Sequence, residues 1–261
     1  MSFFEHLEEL RWHIIRSIIS ILVITILVFV LKGFIFDYLI FGPKSPDFIT
    51  YRFFCGVSNY FGLGNLLCMG GTSFEIINYN MVGQFMVHLK VSIALGFIIS
   101  FPYLVWELWR FIKPGLYANE RKYASGLVFY TSLLFFIGVS FGYLVLAPFS
   151  INFFVHYNVS ESVENLIALE SYIAIITTIV LASGIMFELP IMVYILSKMG
   201  LLTPEFMRSH RRHALIIILF VGALVTPADI WTQVLVAFPV YFLYELSIFI
   251  SARVSKDVEI T

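Results

Sequence analysis

Three carboxylates stand where a negative charge is either costly or pointed: Glu188 inside an apolar run, and Glu9 and Glu120 beside basic residues at the edges of others. Glu188 lies about nine residues, roughly 14 Å, from the charged end of its run. A carboxylate near mid-membrane costs on the order of 3 kcal/mol, so such a group faces a bundle interior, a wet cavity or a partner. Pro190 follows closely, removes a backbone hydrogen bond and bends a helix, which predicts a polar, hydrated notch around Glu188. Gln233 is the candidate second polar group of this site. A buried polar pair that only fixes helix packing is the plainer alternative. Glu9 and Glu120 are placed to accept bidentate hydrogen bonds from an arginine-bearing ligand, which lysine cannot replace geometrically. Surface ion pairs with Arg11 or Arg121 account for the same residues.

Other chemistry finds little support. Gly138-Val139-Ser140-Phe141-Gly142 matches a nucleophile-elbow pattern, but that motif needs a strand-to-helix turn and here lies inside an apolar helix. The six His residues fall at or beyond span ends, leaving no base beside Ser140. Gly138 and Gly142 instead suit close helix packing. Neither His nor Cys shows metal-site spacing, and no glycine-rich phosphate loop is present, so no metal, cofactor or enzymatic activity is expected. Cys55 and Cys68, the two cysteines of the chain, fall in a long loop on the side opposite the basic clusters. In an oxidising compartment they are able to form a disulfide; two reduced thiols in an apolar cap are the alternative. The acids Glu161, Glu164 and Glu170 read as a solvated loop beside a helix amino terminus, where negative charge suits the macrodipole.

The elements that must position these residues are membrane helices. Of 261 residues 60% are hydrophobic and 13% charged, and the mean hydropathy is +0.92, far from the soluble range. The net charge of −1 offers no basic field for nucleic acid. Runs long enough for a bilayer of about 30 Å extend from about Ile14 to Phe36, Phe85 to Ile112, Ala124 to Phe149 and Tyr172 to Ser197. Ala214 to Ile250 divides at Thr226-Pro227-Ala228-Asp229 into a fifth and a sixth. The expected fold is an all-α integral membrane protein with six transmembrane helices, the fifth and sixth short. The fifth has about 13 residues, which calls for local thinning or shelter by neighbours.

Lys and Arg cluster at 11–16, 110–122, 198–212 and 253–256, against Lys32, Lys44, Arg52 and Lys90 on the other side. This bias predicts both termini cytoplasmic. The charged first residues predict the absence of a cleavable signal peptide. Ser2 and Glu5 have capping-box spacing, and Phe3, Leu7, Leu10 and Ile14 share a face, so an amphipathic segment over 1–13 is expected before span one. A cap loop over 37–84 and a cytoplasmic tail over 251–261 complete a single membrane domain. A proton-coupled secondary transporter built around Glu188 is the rival reading, but its paired broken helices in repeated halves are missing.

The motifs themselves are familiar. His6-Leu7-Glu8-Glu9-Leu10-Arg11, then Phe111-Ile112-Lys113-Pro114-Gly115-Leu116-Tyr117-Ala118-Asn119-Glu120-Arg121, resemble the TatC family. So do Phe187-Glu188-Leu189-Pro190, Met199-Gly200, Thr203-Pro204-Glu205 and Leu224-Val225-Thr226-Pro227-Ala228-Asp229. The resemblance implies a non-enzymatic receptor subunit of the twin-arginine translocase, which exports folded proteins across the bacterial inner membrane using the proton-motive force. It implies that Glu9 and Glu120, with Arg11 and Arg121 beside them, bind the paired arginines of a signal peptide. Glu188 and Gln233 match the polar site where single-span TatA or TatB partners dock in an oligomeric complex, and Asp229 an acid at the outer turn. The sequence departs from the family at His13, where a second basic residue is usual, at Ala228, and in its long outer loop.

Overall fold

A backbone that cannot offer its N–H and C=O groups to water satisfies them internally, so the uninterrupted apolar runs of this chain become helices. The structure, a computed structural model, describes residues 3–62, 68, 74–113, 124–160, 162, 165–225 and 230–259. Among these, the segments Glu8–Val30, Gly83–Ile112, Gly126–His156, Leu169–Lys198 and Thr232–Arg253 are long and apolar enough to cross a bilayer. A further apolar helix, Arg211–Val225, has 15 residues. At 1.5 Å per residue it spans about 22 Å, below the roughly 30 Å of a hydrocarbon core. The chain thus has the six-helix membrane fold, with a short fifth helix.

Two expectations are corrected. The amphipathic amino-terminal segment is no separate helix: α1 runs unbroken over Phe3–Val30, since no Gly or Pro interrupts it. Nor is the sixth helix short, for it covers the 30 residues Ile230–Glu259. Its apolar run ends near Ile250, but the following residues, free of Gly and Pro, propagate the helix into the charged tail.

The chain divides into two compact units, Met1–Leu39 with Asn80–Leu134, and Ile40–Tyr79 with Phe135–Thr261. In the first, α1 packs on the helix Gly83–Ile112. His13, Thr25 and Val28 of α1 are buried, as are Val87, Val91, Ile98 and Val105 opposite. Gly96 permits this approach: a Cβ there would meet the Thr25 backbone nitrogen at 3.1 Å and the Ile21 oxygen at 3.2 Å.

The second unit begins with the cap. α2 (Ile49–Tyr60) follows Pro43, whose carbonyl accepts the Tyr51 hydroxyl at 2.9 Å. The helix Gly83–Ile112 is designated α3, and α4 (Ala124–Phe141) continues through a π-helical turn, Gly142–Leu146, into α5 (Ala147–His156). The Thr50 hydroxyl donates to the Leu144 carbonyl, and the Tyr172 hydroxyl donates to Ile40 O at 2.9 Å, so the cap is anchored by polar bonds to the helices beneath it. Cys55 and Cys68 form a disulfide. Two short strands, β1 (Ile76–Ile77) and β2 (Ile167–Ala168), pair in parallel. Beneath the cap, α6 (Leu169–Met186), α7 (Leu189–Lys198), α8 (Pro204–Ser209), α9 (Arg211–Val225) and α10 (Ile230–Glu259) follow in order. Leu146, Ile179, Ile218, Val236, Ala237 and Val240 form a shared apolar core.

Candidate functional site

Glu188 occupies the junction between α6 and α7, at the amino cap of α7, with Pro190 in its first turn. Proline has no N–H to offer the turn before it, so the fourth span breaks here. The Glu188 carbonyl accepts the N–H groups of Ile191 and Met192, each at 3.0 Å, which starts α7. The side chain does not open into the expected hydrated notch. Both carboxylate oxygens are enclosed, and neither has a hydrogen-bond partner among the described residues. An enclosed polar group without a partner is an energetic liability, and a protein retains it where something else satisfies it.

Gln233 stands on α10, and its amide donates to the Leu219 carbonyl on α9 at 3.1 Å. It therefore makes no hydrogen bond to Glu188, although the helices bearing them pack together. Met186 and Leu189, which bracket the break, press on the core that contains Ile218, Val236 and Val240.

At the amino-terminal end of α1, Glu9 is half-buried and Arg11 exposed. One turn beyond Glu9, His13 is 8% exposed and bonds through Nδ1 to Glu107 Oε2 on α3. Glu107 itself is 1% exposed. Its Oε1 accepts the Tyr103 hydroxyl at 2.9 Å and lies 3.7 Å from Arg110 Nη1. The Arg110 guanidinium in turn lies over the Trp106 ring, 4.9 Å from its centroid, and His13 meets Phe111 edge-on at 6.1 Å. Glu120, Arg121 and Asp229 lie outside the described residues.

Glu107 escaped the reading of the sequence, yet a partial signal was present: it is an acid set among Val105, Trp106, Leu108 and Trp109, with Arg110 three residues on. Glu245 is a second such omission. It sits in α10, accepts Arg211 Nη2 of α9 at 2.8 Å and the Tyr241 hydroxyl at 3.2 Å, and so ties the foot of the short helix to its neighbour. Among the described residues, no group of three or more His, Cys, Asp or Glu side chains is arranged to hold a metal ion.

Membrane-length helices, one of them broken at an enclosed carboxylate, define a multi-pass α-helical membrane protein. The chain belongs to the TatC family: the model of the Sec-independent protein translocase protein (TatC) matches residues 5–239. The family consists of protein translocase components rather than enzymes. The TatC protein of Blattabacterium sp. subsp. Periplaneta americana is 40% identical over 257 residues, covering 98% of this chain and 97% of its own. That of Aquifex aeolicus is 32% identical over 99% of each chain. A crystal structure of the twin arginine translocase receptor TatC superposes with a TM-score of 0.73 at 31% identity, covering 96% of this chain and 99% of that one.

Proposed function

We propose that this chain is the receptor and core subunit of a twin-arginine translocase. It is a single membrane domain of the bacterial inner membrane, with both termini in the cytoplasm. Glu9 and Glu120, flanked by Arg11 and Arg121, read the paired arginines of a signal peptide. The observation that carries this reading is the placement of Glu9: it is a half-buried carboxylate at the end of a helix whose next turn is fixed at His13. A carboxylate held on a rigid element discriminates the planar guanidinium fork from the point charge of lysine.

Glu188 and Gln233 form the membrane site for single-span TatA/TatB-type partners, and Asp229 belongs to the outer turn. Glu188 supports this: its carboxylate has no hydrogen-bond partner among the described residues, and a polar group from a partner helix to which the side chain turned would supply the missing bonds. Export of folded precursors then draws on the proton-motive force without covalent chemistry by this chain.

The test is capture of the full-length protein by an immobilised twin-arginine peptide, with a twin-lysine peptide as control. Selective capture that is lost in Glu9→Ala and Glu120→Ala is the expected result. Undiminished capture by the double variant would reject the reading.

A further inference from the structure

The first unit holds a carboxylate that the proposed recognition step leaves unused. Glu107 is 1% exposed, and both its oxygens are engaged, one by His13 of α1 and the other by Tyr103 of its own helix, with Arg110 close by. A carboxylate so satisfied is a poor receiver for an incoming guanidinium. Its distinctive bond is the one that crosses from α3 to α1.

His13 follows Glu9 by one helical turn, which puts the two side chains on the same face, with Cβ atoms about 5–6 Å apart. Whatever fixes the rotation of α1 at His13 therefore fixes the direction of Glu9. The apolar driving force between helices is non-directional and by itself sets rotation and sliding less sharply than a directional bond does. A charge-assisted hydrogen bond between buried groups has a narrow geometry and determines both. Each partner is itself braced: His13 by Phe111 and Glu107 by Tyr103, while Arg110 is held over Trp106. Such support is what keeps a binding group within a fraction of an ångström of its working position.

We infer that His13 and Glu107 are positioning residues, whose bond sets the rotation and axial register of the amino-terminal end of α1 on α3 and so aims Glu9 at the arginines of the peptide. The inference rests on the proposed role of Glu9.

The experiment measures the affinity of the full chain in lipid nanodiscs for a twin-arginine peptide and for its twin-lysine counterpart. In His13→Ala the twin-arginine affinity is expected to fall about tenfold, since misplacing a positioned group by about 1 Å costs up to about a hundredfold. Twin-lysine affinity should hardly change, so the ratio of the two collapses toward one. His13→Asn, whose amide donates from near the place of Nδ1, should keep most of the ratio. His13→Leu combined with Glu107→Leu replaces the buried pair by packing groups and preserves the fold; it should lose the ratio as His13→Ala does. An unchanged ratio in this folded double variant, with binding still abolished by Glu9→Ala, overturns the inference and leaves the receptor reading intact. Equal losses for both peptides also overturn it, by marking the pair as purely structural. Full binding by Glu9→Ala overturns both readings.

Discussion

Ser183 on α6 donates its hydroxyl to the carbonyl of Gly138 on α4 at 2.8 Å, in a contact where a side chain at position 138 has no room. A Cβ there would lie 2.7 Å from the Ser183 carbonyl oxygen and 2.8 Å from the Phe187 Cβ. Gly138→Ala is therefore expected to push the helices apart and destabilise the protein by about 1–3 kcal/mol. Gly126→Ala, where nothing lies within 4 Å, should be neutral or stabilising by up to about 1 kcal/mol. Thermal midpoints of the two variants in one detergent compare them directly, and equal midpoints would contradict the packing argument.

Glu188→Ala removes an enclosed carboxylate that has no hydrogen-bond partner among the described residues. The isolated subunit should gain about 1–3 kcal/mol of stability, because the lost group contributed a desolvation penalty rather than a bond. Copurification with single-span partners should fall while binding of the twin-arginine peptide stays nearly unchanged. A variant that loses stability and keeps its partners would show that Glu188 serves internal packing.

The disulfide between Cys55 and Cys68 closes a loop with a sequence separation of 13. A loop of that size restricts the unfolded cap by about 3 kcal/mol. Replacing both cysteines by alanine should speed proteolysis within the cap and leave peptide capture unchanged. Equal cleavage rates with and without the bond would show that the Tyr51 and Tyr172 hydroxyl bonds suffice to hold it.

Burial pushes the Tyr51 phenol up from 10.0 to about 12. The folded cap thus holds this proton more tightly than the unfolded chain does. Its contribution is present in full below the unfolded value of 10.0 and is lost as the pH climbs toward about 12. The loss is on the order of 3 kcal/mol. Tyr51→Phe should flatten that part of the stability profile and remove one late-ionising phenol from the tyrosinate absorbance titration. Loss of a phenol ionising at the ordinary value of 10.0 instead would place Tyr51 in contact with water.

Much of this was written in the chain order itself. The broken fourth span follows from Pro190 two residues after a lone acid, and the short fifth helix from the short apolar stretch between Ala214 and the turn that begins at Thr226. Local pattern misleads at element ends: the capping-box spacing at Ser2 suggests a separate helix that α1 absorbs, and the end of apolar character near Ile250 is not the end of the helix. The pairing of His13 with Glu107, which are 94 residues apart, has no local signature at all. Arg110, one turn beyond Glu107, makes that acid look like part of a charged span end. Gln233, near the outer start of span six, is the sequence's candidate second polar group, but its amide turns to the Leu219 carbonyl, a choice made by packing rather than by sequence.

The two-residue pairing of β1 with β2 carries a consequence for the order of assembly. It joins Ile76 to Ile167, positions separated by 167 − 76 = 91 residues, and so it cannot exist until synthesis has passed two further membrane segments. Non-local contacts of this kind form late, because the entropy of closing the intervening chain must be met first. During biogenesis the cap is thus a clasp that shuts after the helices on either side of it have threaded into the bilayer. A nascent chain halted before residue 167 would leave the clasp open and the edge of β1 without its mate.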